Sequence, residues 1–328
     1  PTALEADDLR RVLRDIRARL PLANDCEITV EGRLTNFDER KMEACLEGGA
    51  NRFSLGVQSF STKIRQAMGR LCPREDLLRR IEKLRSYNQA AIVVDLIYGF
   101  PMQDMESWLD DIATAQSIGL DGADCYQLNT YRGTPLSRAI ENGKLPAGAD
   151  TAGRALMFRA GVEAMQEGFW RRLSISHWAN TTRERNLYNQ YVKGRAHCLA
   201  FGPGGGGNID GTFYMNQSDI AAWRESVEAG RKPLAMAVLP VPRWKLCKAV
   251  TEGMERGALN LSALESEFDE PLCDICRPVL EQWERAGLVT WAGDFLVLTV
   301  AGQFWQVNLN QLLLDYLKHA PGQSGRAC

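Results

Sequence analysis

Two short apolar runs, Phe53 to Val57 and Ala91 to Ile97, constrain this chain more than any other feature. Both read as buried strands. Each delivers polar residues where the apolar run ends or breaks: Gln58 and Ser59 after the first, Asp95 near the end of the second. The sequence between them is helical in pattern and carries Arg70. Barrel enzymes build a site from such strand–helix units, with polar groups at the C-terminal mouth of the parallel strands. The stretch from Arg52 to Pro101 is therefore the expected catalytic framework.

The bulk properties narrow the setting. A chain of 328 residues holds one large domain, or a large one and a small one. Its formal charge of −2 gives no basic field to attract nucleic acid. No apolar run reaches membrane-spanning length and no signal-peptide pattern opens the chain, so the expected location is the cytoplasm. Nine scattered cysteines do not suggest a disulfide framework in that compartment. Cys273 and Cys276 form a lone CxxC, which without a second pair or nearby histidines points to packing more than to metal. The chain starts Pro1-Thr-Ala-Leu, without an initiator Met, and reads as if cut from a longer protein.

The strand–helix rhythm extends on both sides of the framework. Helical spacing over residues 4–20 ends at Pro21, and Glu27 to Glu31 is a β-rich run ending in a carboxylate. Asn36 or Asp38 can cap the next helix, which stops at Gly48-Gly49. Helices are expected over 61–67, 74–87, 105–117 and 151–167, with further strands at 123–128 and 172–176. Strands alternating with helices argue for an α/β parallel barrel or sheet. From His177 the pattern changes to a polar, aromatic-rich segment, a glycine run over 202–207 and a hairpin strand at 212–215. Near Pro240 a third region begins, with helices at 242–256, about 260–266 and 272–286. Two strands then flank Ala292-Gly-Asp294, and a final amphipathic helix carries Val300 to Leu317. Three helices and a β-wing describe a winged-helix-like module, and only the tail after Pro321 reads as disordered. The expected division is 1–176, 177–239 and 240–328.

Glu31, Gln58, Arg70 and Asp95 come from successive units of the first region, so a barrel wall would bring all four to one mouth. Two carboxylates, an amide and a guanidinium suit a zwitterionic, ribose-bearing ligand. Taken singly, Arg70 would be a solvated helix charge and Asp95 a strand-end cap; four in register go beyond that. The glycines at 202–207, Gly204 and Gly205 among them, fit no phosphate-loop pattern. They suit close backbone approach to a large flat ligand, a tight turn under the barrel mouth, or a flexible loop. His177 is either an axial ligand or acid/base group, or a hydrogen-bonded structural histidine. Arg183 and Arg185 either clamp anionic substrate groups such as propionates or lie on a solvated face.

The phrases Arg52-Phe-Ser-Leu-Gly-Val-Gln-Ser-Phe60, Met68-Gly-Arg70 and Asp95-Leu-Ile-Tyr-Gly-Phe-Pro101 resemble the oxygen-independent coproporphyrinogen oxidase group of radical S-adenosylmethionine (SAM) enzymes. His177 to Asn189 and Phe201 to Gly207 resemble the anaerobic haem-degrading methyltransferase branch. Pro1-Thr2 resembles the end of that family's Gly-Gly-Thr-Pro-Thr motif. The resemblance implies an incomplete (β/α)6 barrel, here missing its first strands, followed by a winged-helix-like domain. It places Glu31, Gln58, Arg70 and Asp95 on SAM; His177, Arg183, Arg185, Gly204 and Gly205 are the candidates for contact with a haem-type substrate. It also implies a 4Fe–4S cluster held by a CxxxCxxC motif and a flavodoxin- or ferredoxin-type reductant. No CxxxCxxC occurs in the chain, so the cluster ligands are expected upstream of residue 1. The activity implied is radical methyl transfer that opens the porphyrin ring and frees iron for acquisition. A haem-binding chaperone and a coproporphyrinogen III oxidase of the same superfamily are the alternatives.

Overall fold

The two apolar runs are neighbouring strands of one sheet. In the computed structural model, which describes residues 1–319, β1 (Thr29–Gly32), β2 (Arg52–Gln58), β3 (Ala91–Tyr98) and β4 (Gly122–Gln127) lie side by side in chain order, all parallel. The tail after Pro321 lies outside the described residues. Parallel neighbours need crossovers, and helices supply them. After α1 (Ala6–Arg19), α2 (Glu39–Glu47) links β1 to β2; α3 (Thr62–Ala67) and α4 (Arg74–Ser86) link β2 to β3; α5 (Met105–Ser117) links β3 to β4. Asp38 makes the cap of α2, accepting from the Lys41 backbone N–H at 3.0 Å.

Strand alternation sorts β2 into two faces. Phe53, Leu55 and Val57 are fully buried in the apolar layer, with the Phe53 ring 5.4 Å from that of Phe37. Arg52, Ser54 and Gly56 point the other way and leave the inner face polar. Beyond β4 come α6 (Pro135–Glu141) and α7 (Thr151–Glu167). Trp108 of α5 ties α7 to the sheet: it is fully buried, its Nε1 donates to the Met157 carbonyl at 2.8 Å, and its ring lies 5.4 Å from Tyr98 of β3.

The parallel strand expected at 172–176 does not form. After α7 the chain makes β5 (Arg171–Arg172), bends back, and returns as β6 (His177–Ala179), and β6 takes the place beside β4, antiparallel to it. Arg172 explains the bend. Its Nε donates to the Ser174 carbonyl at 3.1 Å and its guanidinium also to the Ile175 carbonyl, so those groups are satisfied without a neighbouring strand. The Arg172 guanidinium also lies 5.0 Å from the Trp178 ring centroid.

The chain divides into two compact units, Pro1–Arg185 and a second that begins at Asn186. The boundary expected at 176/177 therefore moves to 185/186. The reason is that β6 belongs to the sheet and Glu184 is buried in the first unit. The rest of the expected bridge at 177–239 belongs to the second unit. That unit opens with α8 (Leu187–Lys193) and an antiparallel sheet of β7 (Gly206–Ile209), β8 (Thr212–Asn216) and β9 (Leu234–Val238), with α9 (Ile220–Glu228) between the last two. Part of the glycine run is thus a strand.

There follow α10 (Trp244–Arg256), β10 (Ala258–Asn260), α11 (Leu261–Phe268), α12 (Leu272–Arg285), β11 (Val289–Ala292) and β12 (Phe295–Leu298), with sheet order β10-β12-β11. Three helices and a three-stranded antiparallel wing are the winged-helix-like arrangement. The final helix is two, α13 (Val300–Phe304) and α14 (Gln306–His319), broken at Trp305. A Cβ on Gly302 would sit 1.9 Å from the Leu288 carbonyl oxygen, so α13 is pressed onto the wing. Leu309, Leu313 and Leu317 of α14 are buried in turn.

Trp108→Ala should cost about 3–5 kcal/mol of stability, since it empties a packed site and frees a buried carbonyl. Urea unfolding of the two proteins measures the loss, and a difference below about 1 kcal/mol would remove Trp108 from the core's main supports.

Candidate active site

At the C-terminal ends of β1, β2 and β3 lies a cavity of about 530 Å3, bordered by Glu31, Ser54, Gly56, Gln58, Arg70 and Asp95, together with residues 1–3, Arg33 and Asn36. All four residues that the strand pattern was expected to bring together border it. Thr2 is tucked against the end of β1. Its Oγ1 accepts from the Arg33 backbone N–H at 3.2 Å, and a Cβ on Gly32 would collide with the Thr2 methyl at 2.1 Å. Glycine is needed there for that close approach.

Gln58 has unusual backbone geometry. Its φ is 73°, in the left-handed region, and the β2–β3 register slips between Gly56 and Gln58. Such a conformation costs on the order of 1–3 kcal/mol and persists only where its surroundings impose it. Here Arg65 and Asp111 impose it. Arg65 donates to the carbonyls of Val57, Ser59 and Cys72, and the Asp111 carboxylate accepts from the Phe60 backbone N–H at 2.6 Å and the Ser59 hydroxyl at 3.1 Å. The Gln58 Oε1 is buried with no hydrogen-bond partner among the described residues. An unpaired buried amide end costs about 1–3 kcal/mol, which a polar ligand in the cavity would recover.

Arg70 donates to the Gly56 carbonyl at 2.8 Å. Burial, with Arg65 and Arg33 nearby, pushes its pKa down to about 10 against the pull of Asp95, so it stays charged at neutral pH. Asp95 is pushed up to about 6, first by burial and then by Asp124 and Glu31, while Ser54 stands 3.5 Å away as a long hydrogen-bond donor. A second cavity of about 540 Å3 shares Gln58 and Arg70 with the first and is otherwise mainly apolar, with Met68, Ile97, Phe100 and Leu136 in its wall. Polar and apolar recesses thus meet at Gln58 and Arg70.

His177, Arg183 and Arg185, expected near a substrate, do not border this cavity. His177 is buried, with Nδ1 2.9 Å from Asp124 Oδ2 at a poor hydrogen-bond angle, and Nε2 3.0 Å from Glu184 Oε1. With carboxylates on both nitrogens it cannot serve as an axial ligand, which corrects that expectation. Glu184 in turn takes the Arg52 guanidinium in bidentate fashion, at 2.9 and 3.1 Å. Arg183 donates to Asn88 Oδ1 at 2.9 Å and to the Ala90 carbonyl at 2.6 Å, and Arg185 to the Asp25 carbonyl at 2.9 Å. Both arginines therefore brace loops that precede β3 and β1, at the strand ends opposite the cavity, and do not join it. Gly204 and Gly205 lie in the second unit, in the turn before β7, where Gly204 donates to the Gln217 carbonyl and Asn216 clasps the carbonyls of Ala200 and Gly202.

Several site residues escaped the sequence reading. Ser54 and Gly56 were readable, because alternation puts them on the face of Gln58's strand opposite Phe53 and Leu55. Arg65, Asp111 and Asp124 were not, since each acts through partners distant in the chain.

The sequence profile described as "Radical SAM superfamily" matches residues 1–115. Anaerobilin synthase of Escherichia coli O157:H7 is 43% identical over 323 residues, covering 97% of this chain and 70% of that protein. The chain belongs to the radical SAM superfamily. It is also 27% identical to an oxygen-independent coproporphyrinogen III oxidase of Cereibacter sphaeroides over 248 residues, 71% of this chain and 54% of that protein. The fold matches the coproporphyrinogen III oxidase structure of Escherichia coli with a TM-score of 0.81 at 17% identity, over 95% of this chain and 75% of that one.

Membership implies SAM and a 4Fe–4S cluster as the family's cofactors. The cavity residues fit SAM: the Gln58 Oε1 without a partner among the described residues, an arginine that donates to the Gly56 carbonyl, and the carboxylates of Glu31 and Asp95. For the cluster the described residues do not fit, since among them no group of three His, Cys, Asp or Glu side chains is arranged to hold a metal ion. Cys273 and Cys276 lie in α12, and burial of Cys276 pushes its thiol up to about 12. Among the described residues no helix is long and apolar enough to cross a membrane.

The buried ion pairs predict how stability responds to pH. Burial opposes charge on His177, but Asp124 and Glu184 outweigh it and raise its pKa from 6.5 to about 9. Its contribution is complete below 6.5 and lost as pH rises through about 9. For Glu184 burial is likewise outweighed, by His177 and Arg52, so its pKa falls below 4.5 and its contribution is lost only on further acidification. These groups support the fold most between about pH 4.5 and 6.5. Glu184→Ala, which strands buried Arg52, should cost roughly 3–5 kcal/mol in urea unfolding and shrink both pH slopes. A variant with the parent's pH profile would contradict this assignment.

Proposed function

We propose that this chain carries the SAM-holding region of an enzyme that methylates and opens the porphyrin ring of haem under anaerobic conditions, releasing iron. The likeness to anaerobilin synthase carries this reading, because it runs through both units and not through the barrel alone. The cavity supplies the chemistry that such a reading needs. Glu31 and Asp95 accept from the ribose hydroxyls or the amino group, and Arg70 pairs with the methionyl carboxylate. Gln58 satisfies its orphaned amide on the ligand, and the apolar recess beside it takes the adenine face.

When bound, SAM supplies the methyl group and the source of the radical. The protein's part is to hold it in one pose at the barrel mouth, with the strained Gln58 turn already set by Arg65 and Asp111. Cluster ligands belong, in this reading, to sequence outside residues 1–328, and a flavodoxin- or ferredoxin-type protein in the cytoplasm is the reductant. Gly204 and Gly205, which present bare backbone, remain candidates for approach to the macrocycle.

Cluster-loaded enzyme given haem, SAM and a low-potential reductant without oxygen should bleach the haem spectrum. Quantitative return of intact haem would indicate a chaperone instead, and carbon dioxide release from coproporphyrinogen an oxidase. For the site itself, Arg70→Ala and Asp95→Ala should each weaken SAM binding roughly tenfold or more, as expected for loss of a charge-assisted bond. Titration calorimetry reads this out; unchanged affinity in both variants would reject the cavity as the SAM site.

A further inference from the structure

One buried group touches neither cavity yet stands in line with the site. Asp95 of β3 and Asp124 of β4 are register partners, and Asp124 is in turn the partner of His177 on β6. Three ionisable side chains thus form a row across adjacent strands on the inner face. Behind the row Glu184 joins His177 to Arg52. Arg52, His177, Asp124 and Glu184 are each more than nine-tenths buried.

Charge decides what such a row can do. With His177 protonated, two cations and two carboxylates close on themselves and the set is neutral. With His177 neutral, the set carries one negative charge directly beside Asp95. A second carboxylate is then much harder to ionise, because two like charges in a buried site oppose each other. Other charges face Asp95 as well: Glu31 from β1, Arg52 from β2, and Arg70 from the segment after α3, with Tyr126 above Asp124 on β4. His177 is faced by Asp124, Glu184 and, through Glu184, Arg52.

We propose that His177 is a positioning residue for the cavity: as the counter-cation between Asp124 and Glu184, it allows Asp95 to carry its charge at the barrel mouth. The role follows from burial and register, since no ring nitrogen is left for a ligand. Its consequence for the cofactor rests on the reading of the cavity as the SAM site, where an ionised Asp95 is a stronger acceptor for the ligand's ribose hydroxyls or amino group. Burial, Asp124 and Glu31 already bring Asp95 to about 6, close to the working range, so a modest change in its surroundings alters its charge.

The test is a carboxyl carbon-13 NMR titration of the chain labelled at aspartate, with the Asp95 signal assigned by its loss in Asp95→Asn. In His177→Gln the Asp95 midpoint should rise by roughly one pH unit or more, and in Asp124→Asn it should fall. Combining the two substitutions should abolish the rise. An Asp95 midpoint unchanged in His177→Gln, with near-ultraviolet circular dichroism like the parent's, overturns the proposal. Should His177→Gln not fold, an unchanged midpoint in Asp124→Asn overturns it equally. SAM affinity measured against pH should follow each variant's Asp95 midpoint. If SAM binds nowhere in the range while the midpoints move as stated, the cofactor reading fails and the charge coupling stands.

Discussion

Buried charge on the inner face of the sheet has to be neutralised within the first unit, and much of that unit's construction answers this demand. Asp95 and Asp124 face each other across β3 and β4, while Arg52 enters the same interior from the start of β2. An isolated charge in such surroundings is costly enough to unfold a domain, so partners must come from wherever the chain can supply them. They come from the end of the unit: His177 on β6 and Glu184 just beyond it. This requirement also explains why β6 is antiparallel and adjacent to β4. From that position its first residue, His177, faces Asp124.

A second constraint acts at the mouth. The β2 strand ends in a bulge whose left-handed Gln58 is unfavourable by itself, and the cavity exists because Arg65 and Asp111 hold it so. Both are buried and neither borders the cavity. Asp111, pushed up to about 6 by burial, still accepts bonds from Ser59, Phe60 and Gln103, which is how a carboxyl in that place is kept useful. Beside this turn the buried Gln58 Oε1 has no hydrogen-bond partner among the described residues, which is the state a ligand-binding side chain needs before its ligand arrives.

Much of this was legible in the chain. The apolar runs at 53–57 and 91–97, the cap at Asp38 and the stop at Gly48-Gly49 fall within a residue or two of the elements they suggested. Local physics governs such features: strand period, helix period and capping use neighbours in sequence. The convergence of Glu31, Gln58, Arg70 and Asp95 was legible for a related reason. Once the strands are parallel and consecutive, their ends must lie together. Less visible were β7 and β9, because glycine-rich and short mixed segments give weak periodicity, and the break in the last helix at Trp305, between Gly302 packed on Leu288 and the buried leucines of α14.

By itself, then, the sequence determined that strands would alternate with helices, that polar groups would gather at one mouth, and that a helical module with a β-wing would follow. Periodicity and chain order suffice for these. Tertiary structure alone decided the fates of His177, Arg183 and Arg185, three residues in one polar segment with equal claims to a ligand. Arg183 and Arg185 brace loops at the far strand ends because the chain passes beneath the sheet after β6. His177 turns inward, between two carboxylates, because the sheet places Asp124 beside it. A charged side chain's role is set by the charges it meets, and those come from residues 53 positions before His177 in one case and 7 after it in the other. No local pattern encodes such meetings.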